Sequence, residues 1–453
     1  MKRRVSLILA LALALLLPGC GGEGSVWQET PVAPQTNESL SVFCMGDMKD
    51  SMMLQAALDR YRQTYPDVEV ELIKPAYDSG NYEMRDELYQ QVAAEIMSGE
   101  GPDVFIIDDH IMDVEKLVRQ GVFADMEPFF EADNFDWEPY NQAVMNGGVW
   151  NGKRFVVPLS YDIPLLVTSR TALEETGFDV DACGDLQGFL EETARYMEDE
   201  TQTRELYMNT SRVYDIVELS GISIADYDTR SIDLSSPMLQ PMLQWQKSTL
   251  EYDPNWAMSV GGGLVGAEAV WDGNVLWAGS PQGALYDFYH DYAALKTIDE
   301  PVMMPVRDVD GGIRAEIRDP VAVRANSENL QNAYNFLKIL LSQEVQYLYD
   351  KHTLSVLDPA NEYFYQRFSQ KQSWYIPAGE SGFYSTDDSF RATDSPTAKE
   401  FREFVGYTKE ITGTYYANHL GLYRAMRDYI SGDADYDETL KEAQQYLERY
   451  ITE

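Results

Sequence analysis

The sequence predicts an α/β fold built on mainly parallel sheet. Three observations carry this. Leu54, Ala57, Leu58, Tyr61 and Tyr65 recur at the spacing of one helix face, residues 103–108 (DVFIID) form a short continuous apolar run, and such segments alternate along the chain. A run without alternation suits a strand covered on both faces, and strands separated by helices imply parallel pairing through crossovers.

The elements follow in order. A strand is expected over 40–45 and a helix over 51–65, stopped by Pro66. Val68, Val70 and Leu72 alternate as a strand; Leu88, Val92 and Ile96 mark a helix ending at Gly99. After the strand at 103–108, residues 149–155 read as a hairpin around Asn151-Gly152, because that dipeptide tolerates the positive φ angles of a two-residue turn. An extended segment over 156–160 leads to a strand at 163–168, a helix at 185–198, a strand at 206–209 and helices at 212–219 and 237–250. Strands are then expected at 275–278, 302–306 and 313–323. Residues 328–341 place Ala333, Phe336, Leu337 and Leu340 on one helix face, and 360–453 read as mostly helical, closing with 435–451. There is no internal repeat of solenoid period.

Charge narrows the function. Against 35 Lys+Arg stand 75 Asp+Glu, a formal charge of −40, which excludes a phosphate-reading nucleic-acid binder and a broad basic membrane surface. At 44% hydrophobic and 24% charged residues, the chain is nonetheless composed like a folded protein.

Residues 1–19 read as a signal peptide: Lys2, Arg3 and Arg4 precede an apolar run from Val5 to Leu17 that is too short to span a bilayer. Leu17-Pro18-Gly19-Cys20 resembles a bacterial lipobox, which implies acylation of Cys20. Losing the three basic residues takes the formal charge from −40 to −43. Residues 20–39, rich in Gly, Pro, Ser, Thr and Glu, read as a flexible tether. The remaining cysteines, Cys44 and Cys183, are expected as two buried thiols and not as a disulfide, since one lies in the first strand and the other before a distant helix.

Catalytic and metal signatures are missing. His110, His290, His352 and His419 pair with no other His or Cys at ligand spacing, and there is no HExxH, CxxC or GxSxG. No metal and no cofactor is expected. Residues 261–266 (GGGLVG) fit GxGxxG but follow a loop-like segment where the dinucleotide fingerprint needs a strand. Residues 433–437 (DADYD) resemble the front of a calcium loop yet carry Glu438 and Gln444 where that loop needs Gly and Glu, so they read as the acidic start of the last helix. What stands out is aromatic content, 30 Tyr, 17 Phe and 8 Trp, in an exported polar protein. Sugars stack their C–H faces on such rings while planar polar groups bond their hydroxyls.

Several segments in order then resemble the extracellular solute-binding proteins of ABC importers, in the carbohydrate-binding group that includes the maltose-binding protein. They are residues 61–70 (YRQTYPDVEV), 99–104 (GEGPDV), 121–126 (GVFADM) with Pro128, 152–158 (GKRFVVP), and 333–342 (AYNFLKILLS) with Glu344 and Gln346. The resemblance spans about 40–453 and implies a two-lobed periplasmic-binding-protein-like fold, each lobe a mainly parallel sheet flanked by helices, with a helical C-terminal region. Lobe one would comprise 40–158 plus about 302–345, and lobe two 159–301 plus about 346–453. The implied function is capture of a sugar or oligosaccharide between the lobes, by a monomeric receptor, for delivery to ABC permease subunits, without catalysis. Ligand contacts are expected at strand ends, at Gly46, Asp47, Asp108, Asp109, Tyr161 and Asp162, and at Trp256, Trp277, Ser280 and Trp374 in lobe two. Arg318 is expected to pair with an acid. Two alternatives stay open: a polyamine, peptide or other organic solute as ligand, motivated by Asp108-Asp109, and an exported carbohydrate-active enzyme.

Overall fold

The computed structural model describes residues 39–44, 51–74, 92, 94, 95, 98, 101–107, 113–206, 215–252, 267–271, 273–278, 288–296, 299–348, 353–369, 374–377, 390–393, 397–416 and 421–452. The chain opens with β1 (Ser39–Cys44), α1 (Met52–Thr64) and β2 (Glu69–Ile73). Ser51 starts α1 because its hydroxyl accepts from the Leu54 N–H, satisfying a donor that the first helical turn leaves open. Leu54, Ala57, Leu58 and Tyr61 are buried, so the expected stripe is the packed face. It meets the helix at 330–341 further on, where Tyr61 lies edge-on to Phe336 at 5.7 Å. Burial of Leu54 and of Leu58 stabilises by about 1.5–3 kcal/mol each.

β3 (Val104–Ile106) follows, buried on both faces as a central strand should be, then α2 (Val114–Arg119) and α3 (Gln142–Asn146). β4 (Val149–Trp150) and β5 (Lys153–Arg154) make the expected hairpin, with Asn151 at φ 52° and Gly152 at φ 75°. β6 (Val156–Val157), β7 (Ser160–Asp162) and β8 (Leu165–Ser169) come next, followed by α4 (Leu186–Glu198), α5 (Asp215–Leu219), the small hairpin β9 (Ala225–Asp226) with β10 (Ser231–Ile232), and α6 (Leu239–Tyr252). The chain continues through β11 (Pro301–Pro305), β12 (Ile313–Arg318), β13 (Val321–Val323), α7 (Leu330–Leu341), β14 (Leu354–Ser355), β15 (Trp374–Pro377), β16 (Phe390–Thr393), β17 (Ile411–Tyr415) and α8 (Tyr436–Thr452).

Two sheets organise these strands. The first runs β2-β1-β3-β13-β6, parallel across β2-β1-β3 and antiparallel through β13 to β6. The second runs β14-β7-β12-β17 and is parallel only between β12 and β17. The α/β class is therefore as expected, but the second sheet is mixed. Crossover helices enforce parallel pairing in the amino-terminal part, whereas here strands arriving from distant parts of the chain pair in either sense.

The strands at 302–306 and 313–323 also divide differently from expectation. β11 pairs with β8 and β12 with β7, so both stand with the second group, and only β13 returns to the first sheet. Asp319, at φ 48°, breaks what read as one strand, and its carboxylate accepts from Ser160 Oγ at 3.2 Å, tying together two places where the chain passes between sheets. The segment after 360, read as mostly helical, also contains β15, β16 and β17. β17 (ITGTY) carries β-branched residues at 411, 412 and 414, a strand signal masked by its helical surroundings. Residues 275–278 form isolated bridges at Val275 and Ala278 and no strand. Leu88, Ile96, 207–209 and 261–266 lie outside the described residues. Cys44 and Cys183 are both buried and no disulfide joins them; burial pushes the Cys183 thiol up to about 12. Among the described residues no helix is long and apolar enough to cross a membrane, and no three His, Cys, Asp or Glu side chains converge as a metal site.

Candidate functional site

A cleft of about 300 Å³ opens between the elements of the two sheets. Glu115 of α2, Asn146 of α3 and Trp150 of β4 line one side; Glu218, Gly221 and Tyr227 with Arg314 of β12, Thr414 and Tyr415 of β17 and Tyr416 just after it line the other. Trp150 and Tyr416 stack across it at 6.1 Å with their planes 20° apart.

The hairpin presents Trp150 because its base is held rigidly. Arg154 is buried, donates to Glu127 at 2.8 Å and to the Met145 carbonyl at 2.7 Å, and covers the Trp137 ring at 4.3 Å. Asp125 accepts from the Arg154 N–H at 3.1 Å, and burial holds its carboxyl above the usual range. Gly147 and Gly148 then allow close approach: a Cβ at Gly147 would collide with Thr414 Oγ1 and one at Gly148 with the Val156 carbonyl. The Tyr416 hydroxyl donates to the Gly147 carbonyl at 3.1 Å, which fixes the second ring.

Beside the cleft the two groups are bonded to each other. Asp113 caps α2 through Oδ1, which accepts from the Lys116 N–H at 2.8 Å, while its Oδ2 accepts from Tyr227 Oη at 2.7 Å and Tyr450 Oη at 2.9 Å. Lys116 Nζ donates to the Tyr450 carbonyl at 2.8 Å, and Arg119 pairs with Asp228. Burial, reinforced by the Asp113 carboxylate, pushes the Tyr227 phenol far up, so it remains a donor. Because hydrogen bonds to a charged acceptor contribute about 1.5–3 kcal/mol, Tyr227→Phe is expected to lower stability by roughly that amount in urea unfolding.

Of the residues expected at the site, Gly46, Asp47, Asp108, Asp109, Trp256 and Ser280 lie outside the described residues, as does Cys20. Trp374 opens β15. Tyr161, Asp162 and Trp277 are fully buried in this structure. Tyr161 and Asp162 sit in β7, an inner strand between β14 and β12, and Asn141 Nδ2 donates to the Tyr161 hydroxyl at 3.3 Å. Trp277 packs edge-on against Phe178 at 5.4 Å. Arg318 pairs with Glu316 at 2.6 Å, as expected. Sequence reasoning did not single out Trp150, Tyr416, Arg314 or Gly221. A tryptophan flanking an Asn-Gly turn was the one local sign, since a hairpin tip seldom buries so large a ring.

Residues 48–190 match the family described as bacterial extracellular solute-binding protein. Solved structures align along nearly the whole chain. A cyclic alpha-maltosyl-1,6-maltose binding protein from Arthrobacter globiformis is 15% identical, covering 91% of this chain and 98% of its own, with a TM-score of 0.57. The fold is that of a bacterial extracellular solute-binding protein. An ABC substrate-binding protein from Listeria monocytogenes in complex with cycloalternan is 13% identical, covering 91% and 99%, at 0.55. The GacH receptor of Streptomyces glaucescens, described unliganded and with acarbose, is 15% identical, covering 92% and 98%, also at 0.55. No curated protein matches the chain. In a solute-binding fold, a cleft walled by both sheet groups is where contacts from each can close on one ligand.

Proposed function

We propose that this protein is the exported receptor of an ABC importer and that it takes a sugar or oligosaccharide into the cleft between its two sheet groups. The observation that carries this reading is the Trp150–Tyr416 pair, fixed at both bases and set beside Asn146, Thr414 and Arg314. Stacked rings take the C–H face of a pyranose, and the neighbouring amide, hydroxyl and guanidinium supply directional bonds to its hydroxyls. The sugar-bound proteins with the same fold support the choice of carbohydrate.

The receptor is read as two lobes, 40–158 with about 320–345 and 159–319 with about 346–453, a division supported by the pairing of β11 with β8 and of β12 with β7. It is monomeric, non-catalytic and tethered through an acylated Cys20 to the outer face of the cytoplasmic membrane, where a permease receives the sugar. Cys20→Ala is expected to move the protein from the membrane fraction to the medium or periplasm on fractionation; retention in the membrane would refute the anchor.

A thermal-shift screen of the chain against neutral, acidic and amino-saccharides, polyamines and short peptides tests the ligand class. A compound binding only the folded state at a hundred times its Kd stabilises by about 2.7 kcal/mol. A saccharide is expected to raise the midpoint and to be recovered unaltered. A shift by polyamines or peptides alone would reject carbohydrate, and release of new reducing ends would reject a receptor without catalysis.

A further inference from the structure

Arg314 is half-buried on β12 at the cleft wall. Its one hydrogen bond runs from Nη2 to the Thr414 carbonyl, at 2.7 Å, and Nε is buried without an acceptor. Among the described residues no carboxylate lies within ion-pair distance of it, although acids outnumber bases 75 to 35 in the chain. Glu115 pairs with Arg119 at 3.4 Å, and neither it nor Glu218 pairs with Arg314. Two glycines hold the slot open. At Gly413 a Cβ would lie 2.5 Å from Arg314 Nη1, and at Gly221, φ +77°, it would lie 3.2 Å from Cδ.

A half-buried guanidinium without a counter-charge is costly, and the cost is recovered when an anion arrives with the right geometry. Nη1 forms no hydrogen bond with any described residue and lies in the slot between Gly413 and Gly221, on a side chain that lines the cleft. Building on the carbohydrate reading above, the geometry points to a saccharide carrying a carboxylate, a uronate, as the preferred ligand, with Arg314 as the residue that selects it. A carboxylate gives charge-assisted bonds about twice as strong as those of a hydroxyl. The acidity of the whole chain does not forbid this, because at physiological salt the field of a surface charge is screened beyond about 8 Å, whereas Arg314 would act at contact distance.

The test is calorimetric titration of the full chain with acidic disaccharides (digalacturonate, dimannuronate), neutral counterparts (galactobiose, mannobiose, maltose) and the glucosamine disaccharide. An acidic disaccharide is expected to bind at least tenfold more tightly than its neutral counterpart. Arg314→Gln should abolish that preference, weakening acidic binding at least tenfold more than neutral binding, and Arg314→Lys should restore part of it. Neutral or amino-sugar binding equal to or tighter than acidic binding would overturn this inference and leave the carbohydrate reading standing. Binding of no saccharide would overturn both. If Arg314→Gln does not fold, the wild-type ranking decides.

Discussion

Asp103→Ala is expected to lower the unfolding free energy by about 3–5 kcal/mol, the cost of removing one member of a buried charged network. Asp103 is 3% exposed and lies just before β3. Its carboxylate accepts from the Ser41 N–H at 2.9 Å, Ser41 Oγ at 2.8 Å, Ser327 Oγ at 2.6 Å and Asn329 Nδ2 at 3.1 Å, with Arg324 at 3.6 Å. One group thus joins β1, the approach to β3 and the turn leading into α7, which lies more than two hundred residues further along the chain. Alanine would leave those donors buried and unanswered, each costing about 1–3 kcal/mol. Asp103→Asn keeps the shape but loses the charge and one acceptor, so it should recover part of the loss. Urea unfolding of the three proteins reads the order directly, and an alanine variant within 1 kcal/mol of wild type would refute the assignment.

Trp150→Ala is expected to weaken saccharide binding by about thirtyfold, close to 2 kcal/mol, with little change in stability. Trp150 is partly exposed, stands at the end of a two-residue strand and packs at the margin of the core, so truncation removes a platform and disturbs the core less than loss of a fully buried ring. Trp277→Ala is the control: that ring is fully buried against Phe178, and its loss should destabilise by about 3–5 kcal/mol through the cavity it leaves. A Trp150→Ala protein that binds as wild type would show that the stacked pair is not the ligand platform.

The parts of the fold legible in the sequence are those fixed by local chemistry. Ser51 and the stripe from Leu54 to Tyr61 define α1 within fourteen residues, and Asn151-Gly152 sets its hairpin because only a few residue types accept two successive positive φ angles. The segment before β3 drew attention as a string of letters; the structure gives its Asp103 a physical task. The site was less legible. Its parts, Trp150, Gly221, Arg314 and Tyr416, are separated by up to a hundred residues at a time and meet only because β12 pairs with β7 on one side and β17 on the other. Tyr161 and Trp277 are aromatic residues near strand ends, and nothing local in the sequence distinguishes a ring facing a cleft from one facing a core. Arg314 looks like any surface arginine on an acidic protein until Gly221 and Gly413 are found on either side of it.

The central claim is that ligand lies against the Trp150–Tyr416 pair, between the two sheet groups. A crystal structure with the saccharide that gives the largest thermal shift tests it most directly. A sugar ring packed on Trp150 and within hydrogen-bond distance of Arg314 is the predicted result; a saccharide bound elsewhere, with this cleft occupied only by water, would contradict it.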